Sequence, residues 1–295
     1  MLRCLAIAAL LAAPAAGPAL AQRAARTGPQ AGSQAAEAQP ATTLDRLWDT
    51  LQLGDLMPVL RDEALAEAAA MQESLFQRGG TGNWLDEVAR IHDPARLELL
   101  FREGLRQALA QADETRLGEA LDFYRQPPGQ RLVVLESTAR TAMLDPDAEA
   151  QAREAFAEAA SRGAPRVAQI ARLIEEADLV GPNVAGGLNA AIAFSRGFAQ
   201  GGGFDMPLSE GQMLADAWSQ EAGMRAETLG WMEAYLMLAY SPLGDAELDR
   251  YIGFAGSPEG RALSAVLFAA FDTLFRRTSY DLGLAAAAQL QGREL

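Results

Sequence analysis

The 295-residue chain carries 25 basic against 39 acidic residues and one histidine, a formal charge of −14 that repels phosphate backbones and anionic lipid. Every basic residue other than that histidine is arginine, which excludes Schiff-base chemistry, a catalytic lysine and a P-loop. The single cysteine, Cys4, sits at the extreme N-terminus, so the body of the chain has no disulfide, thiol nucleophile or thiolate metal site.

Residues 1–21 read as a secretory signal. Arg3 is the positive flank, a short apolar stretch runs from Cys4 to about Leu11, and Ala19-Leu20-Ala21 is a small-x-small cleavage site. Pro14, Gly17 and Pro18 break the stretch before it reaches the about 20 apolar residues of a membrane span. The expected product is a periplasmic protein cleaved after Ala21, with no stable membrane insertion afterwards. Residues 22–41 are Ala, Gln, Gly and Pro with almost no large apolar group, and are expected to form a flexible linker.

From Thr42 onward a helical period dominates, in a composition rich in Ala, Leu, Arg and Glu. Thr43 is placed to cap a helix bearing Leu44, Leu47, Trp48 and Leu51. Asp93-Pro94 opens a helix with Leu97, Leu100, Phe101, Leu105 and Leu109 on one face. Asp113 caps the next, which ends at Gln126-Pro127-Pro128-Gly129; the stripe then restarts with Leu132, Leu135, Ala139 and Met143. No stretch alternates with period two, so an all-α multi-helix bundle is predicted.

The later part repeats this pattern. Asp245 opens a helix, Gly256-Ser257-Pro258-Glu259-Gly260 breaks it, and Ser257 caps the next with Pro258 at its first position. A shift of 131 residues pairs Leu117 with Leu248, Phe123 with Phe254, Pro127 with Pro258, Gly129 with Gly260 and Leu132 with Leu263. Leu47–Gly54 resembles Leu173–Gly181 at a slightly smaller offset. Two tandem copies of one helical module are therefore expected, over 42–145 and 170–278, joined by a helical connector over 146–169 and followed by a C-terminal helix or tail over 279–295.

Leu121-Asp122-Phe123-Tyr124-Arg125-Gln126-Pro127-Pro128-Gly129 resembles the "FY-x-S-P-x-G" signature of a bacterial family known as domain of unknown function 2059, and Phe254-Ala255-Gly256-Ser257-Pro258-Glu259-Gly260 resembles a second copy. Gln126 stands where that signature has Ser, and Ala255 where it has Tyr. The resemblance implies an exported helical protein and carries no assigned activity. Physically, the same motif is a helix corner: Pro127 or Pro258 fixes a first turn, Gly129 or Gly260 allows close backbone approach, and Phe123 or Phe254 packs against the following helix. A ligand-binding corner including Tyr124 and Ser257 is the functional alternative.

Catalytic and metal constellations are absent from the pattern. His92 just precedes the Asp93-Pro94 cap with no nucleophile elbow near it, and is expected to be a solvated loop residue. Asp145-Pro146-Asp147-Ala148-Glu149 lacks the sixth-position Gly and twelfth-position Glu of a calcium loop, and is expected to cap the connector. Gly201-Gly202-Gly203 has no GK[ST] continuation and reads as a hinge. Trp218, Trp231, Tyr235 and Tyr240 form an aromatic cluster, either core or the walls of a groove for an apolar ligand or a partner helix. The expected function is a non-enzymatic periplasmic binding or interaction protein, taking an envelope protein or apolar ligand, without nucleic acid or cofactor. The alternative is an envelope-polymer hydrolase using carboxylate pairs such as Asp113-Glu114 or Glu175-Glu176.

Overall fold

The computed structural model describes residues 41–75 and 84–292; the expected signal segment and all but the last residue of the expected linker lie outside them. The described residues form thirteen α-helices and no strand. In chain order they are α1 (Thr43–Thr50), α2 (Leu53–Leu75), α3 (Trp84–Ile91), α4 (Pro94–Leu109), α5 (Glu114–Arg125), α6 (Pro127–Ala142) and α7 (Pro146–Ser161), then α8 (Pro165–Glu176), α9 (Val180–Gln200), α10 (Glu210–Ser219), α11 (Glu221–Tyr240), α12 (Asp245–Ala255) and α13 (Pro258–Leu290).

The helix starts follow local chemistry. Asp93, Asp113 and Asp145 each accept hydrogen bonds from first-turn amides, at 3.1 Å from Ala95, 3.0 Å from Thr115 and 2.9 Å from Asp147. At α1 the cap is Thr42, one residue before the expected Thr43, because Asp45 at N3 reaches back to the Thr42 amide at 3.2 Å and closes a capping box. Ser257 Oγ accepts from the Gly260 amide at 3.1 Å, whereas Gln126, in the same position before α6, makes no side-chain cap bond. Gln126→Ser is therefore expected to stabilise the protein by about 0.5–1 kcal/mol, seen as a higher denaturation midpoint at unchanged slope; an unchanged or lower midpoint would contradict it.

Four clusters of buried apolar residues fill the described bundle, and the two larger ones join helices distant in the chain. In one, Leu47, Leu56, Phe101, Leu105 and Leu121 of the early helices meet Leu263, Val266, Phe271 and Leu274 of α13. In the other, Leu132 and Ala139 of α6 meet Leu173 of α8, Met232 and Leu236 of α11, and Ile252 of α12. The expected segment boundaries at 169 and 278 fall inside α8 and α13, since nothing in either helix breaks the hydrogen-bonded ladder there.

The two Pro-Gly corners meet each other. Phe123 and Phe254 stack with ring centroids 3.6 Å apart and planes 7° off parallel, so these rings pack on one another in addition to flanking the following helices. A Cβ on Gly129 would lie 2.4 Å from the Phe123 carbonyl oxygen, and one on Gly260 would lie 2.3 Å from that of Phe254. Only glycine lets the new helix start so close to the old one. Among the described residues, Gln52 and Asp178, just past α1 and α8, are the non-glycine residues with positive φ, at 51° and 49°.

Candidate functional site

A cavity of about 480 Å³, within the usual range for small-molecule sites, lies between α2, α9 and α13. Its formation starts with small residues. Where α9 crosses α13, a Cβ on Gly197 would lie 2.0 Å from the Tyr280 carbonyl oxygen, and one on Gly283 would lie 2.1 Å from that of Phe194. The two backbones touch there, so the long side chains on either side are forced outward from the contact and enclose space.

Those side chains are mostly apolar. Phe194 and Phe198 of α9 stack 6.0 Å apart, and Phe204 closes edge-on against Phe198 at 4.8 Å. Phe198 keeps its place because Gly203 has no side chain: a Cβ there would lie 2.4 Å from the ring. The opposite walls are Leu60, Ala64 and Met71 of α2 and Leu274, Phe275 and Leu282 of α13. Trp84 of α3 is fully buried at one side, its Nε1–H donating to the Ala68 carbonyl at 3.0 Å. Met224 of α11 sits over Gly187, where a Cβ would lie 2.4 Å from its sulfur. Exposed Asp216, Gln220 and Leu290 mark where the cavity reaches the surface.

Its polar groups are few. His92 is 7 % exposed and lines the cavity, which overturns the expectation of a solvated loop residue: α3 ends one residue earlier, and the ring folds back under it. Nδ1 lies 3.0 Å from the Val88 carbonyl, which can only accept, so Nδ1 carries the proton. Burial lowers the ring's pKa to about 4, outweighing that hydrogen bond, so the imidazole is neutral at pH 7 and Nε2 is a bare acceptor. Thr278 likewise donates its hydroxyl to the Leu274 carbonyl at 3.2 Å. Among the described residues, the carboxylates that line the cavity are Glu67 and Asp216, and no arginine does. Nearby guanidiniums are held elsewhere: Arg96 and Arg277 by Asp281, and Arg196 by Glu210.

The residues singled out in the sequence lie away from this cavity. Trp231, Tyr235 and Tyr240 are buried in the α6–α11 core, with Trp231 stacked on Tyr235 at 4.8 Å, while Trp218 is 63 % exposed on α10; the four do not frame a common groove. Their hydroxyls serve a buried polar cluster: Tyr240 donates to Glu136 Oε1 at 2.6 Å and Tyr235 to the Glu136 carbonyl at 3.0 Å. Burial, then the nearby Glu136 carboxyl, pushes both phenols well above their ordinary range, so they act only as neutral donors. At the corners, Tyr124, Phe254 and Gly260 border a void of about 20 Å³, room for about one water. Pro127 and Pro258 are exposed beside it.

The carboxylate pairs singled out in the sequence do not meet in this cavity. Asp113 is occupied in capping α5, Glu114 and Glu175 are exposed, and Glu176 binds Arg172 at 3.3 Å. Glu63 and Glu233, whose pKa values burial raises, do not line the cavity. Among the described residues no group of three or more His, Cys, Asp or Glu is placed to hold a metal, and no helix is long and apolar enough to cross a membrane.

The cavity escaped sequence reasoning because its aromatic residues occur at ordinary core spacing. The one local signal is Phe194-Ser195-Arg196-Gly197-Phe198, aromatic residues four apart on a helix that also carries glycines for close packing. No family model, curated protein or solved structure matches the chain.

Proposed function

We propose that this protein is a non-enzymatic binding protein of the periplasm that holds a small apolar ligand between α2, α9 and α13. The observation that carries the reading is the cavity of about 480 Å³ walled by Phe194, Phe198, Phe275, Leu60 and Leu282. Transfer of apolar surface from water drives such binding, at roughly 0.8 kcal/mol, about fourfold in affinity, per methylene enclosed. The signal-like residues 1–21 support export, and the likeness to the domain of unknown function 2059 supports the same compartment. The repeated corner motif, with matching glycine contacts at Gly129 and Gly260, supports an origin by duplication of one helical module.

The test is saturable binding of an uncharged naphthylamine dye by the purified protein, followed by fluorescence. Ala191→Phe and Ser195→Phe, each of which adds a ring from α9 into the cavity, are expected to weaken binding at least about tenfold while leaving the denaturation midpoint near that of the parent. Two variants guard against one failing to fold. Undiminished binding by both folded variants, or no binding by the parent, would remove this reading.

A further inference from the structure

We infer that the ligand held in this cavity is an uncharged apolar alcohol whose hydroxyl donates its proton to Nε2 of His92, an inference that rests on the cavity being a binding site and adds the polar contact that selects its occupant.

The contact begins at the end of α3. His92 follows the last residue of that helix, and its Nδ1 gives the ring's one proton to the Val88 carbonyl at 3.0 Å. Nε2 makes no hydrogen bond to a described residue, yet it is not one of the buried polar atoms sealed off without a partner. It therefore meets open space, and the space that His92 lines is the cavity. The rest of the residue is buried. Because burial keeps the ring neutral at pH 7, this nitrogen offers a lone pair and no proton. An occupant that keeps solvent from Nε2 without donating to it leaves a buried acceptor unsatisfied, and affinity falls accordingly.

The remaining polar groups narrow the donor to a hydroxyl. Ser195 and Ser279 are half-buried in the wall, with hydroxyls that donate or accept, and Gln220 brings an amide at the exposed rim. A ligand hydroxyl suits this mixture, since it gives its proton to Nε2 while its lone pairs accept one from a serine. An ether or ketone only accepts, and leaves Nε2 unpaired. A carboxylate has no proton to give. An ammonium has protons to give, but takes a full charge out of water into walls made of Phe194, Phe198, Phe275, Leu60 and Leu282, where desolvation is costly.

The experiment is a competition against the bound dye by two isomers of equal size, 1-decanol and methyl nonyl ether, at pH 7 and below their solubility limits. The alcohol is expected to bind the parent about fivefold more tightly than the ether. His92→Asn keeps a side-chain amide near the place of Nδ1, for the Val88 carbonyl, and has no atom at the place of Nε2. It is expected to bring the two isomers within about twofold of each other, chiefly by weakening the alcohol. His92→Gln carries an amide oxygen out to the place of Nε2 and is expected to keep a gap of about threefold or more.

Equal binding of the isomers by the parent would overturn the inference and leave the apolar-ligand reading standing. So would an undiminished gap in folded His92→Asn, since the acceptor would then lie elsewhere. Loss of the gap in both variants would also overturn it, because the packing of the ring and not its lone pair would then set the preference. Failure of both isomers to displace the dye would overturn the apolar-ligand reading together with the inference.

Discussion

Gly197→Ala is expected to destabilise the protein by about 2–3 kcal/mol, whereas Gly186→Ala on the same helix is expected to stabilise it by up to about 1 kcal/mol. Alanine is the better helix former at both positions, so propensity alone predicts the same sign. The surroundings decide otherwise. At Gly186 the added methyl meets nothing within 4 Å. At Gly197 it would sit 2.0 Å from the Tyr280 carbonyl oxygen and 3.2 Å from the Leu284 amide nitrogen, both backbone atoms of α13 that no rotamer change can move aside. The helices must separate. Because Gly283 meets the Phe194 backbone in the same way, separation also shifts the Phe194–Phe198 wall, and dye affinity is expected to fall with stability. Denaturant midpoints for the two variants, at equal slope, measure this directly; a Gly197→Ala midpoint at or above that of Gly186→Ala would refute the backbone contact.

Arg140→Met carries the largest expected loss, about 3–5 kcal/mol. Arg140 Nη2 lies 2.7 Å from Glu63 Oε2, joining α6 to α2, with side chains only 3 % and 14 % exposed. Removing the guanidinium leaves a carboxyl in an environment that already disfavours its charge. Burial raises the Glu63 pKa above the ordinary 4.5 even in the presence of Arg140, whose charge pulls it back down. A raised value in the folded state means that the native protein binds this proton more tightly than the unfolded chain does. The resulting stability is therefore complete below about 4.5 and is lost as pH rises through the folded-state value. Without Arg140 that value rises further, so the deficit of the variant is expected to widen from pH 5 to pH 8. Glu63→Met in the Arg140→Met background is expected to recover part of the loss and to flatten the pH dependence, since the stranded charge is gone. A deficit below about 1 kcal/mol that is the same at both pH values would show that this pair is not buried in the way described.

These two sites show where sequence reading stops. Asp93-Pro94, Asp113 and Ser257-Pro258 announce helix starts because a capping side chain, its proline and the amides it serves are neighbours in the chain. Leu97, Phe101 and Leu105 announce a buried face for the same reason: their spacing is set within one helix. Glu63 and Arg140 are 77 residues apart and read individually as solvated surface charges, which is what such residues usually are. His92 read as solvated because it sits just before the Asp93-Pro94 cap, yet the cavity it lines is built by residues of distant helices. Trp231, Tyr235 and Tyr240 stood out for their ring size, and ring size is equally suited to a core and to a groove.

By itself, then, the sequence determined the helical class, several of the helix starts, the apolar stripes around them and the repeated Pro-Gly corner, since each depends on interactions between residues a few positions apart. The tertiary structure alone decided that Gly197 and Gly283 bring α9 and α13 into contact, that this contact spreads Phe194, Phe198 and Phe275 around a cavity, and that Glu67 and Asp216 line it. A cavity is the space that several helices fail to fill together, and its shape and charge depend on how distant segments cross. No local period or spacing encodes that crossing.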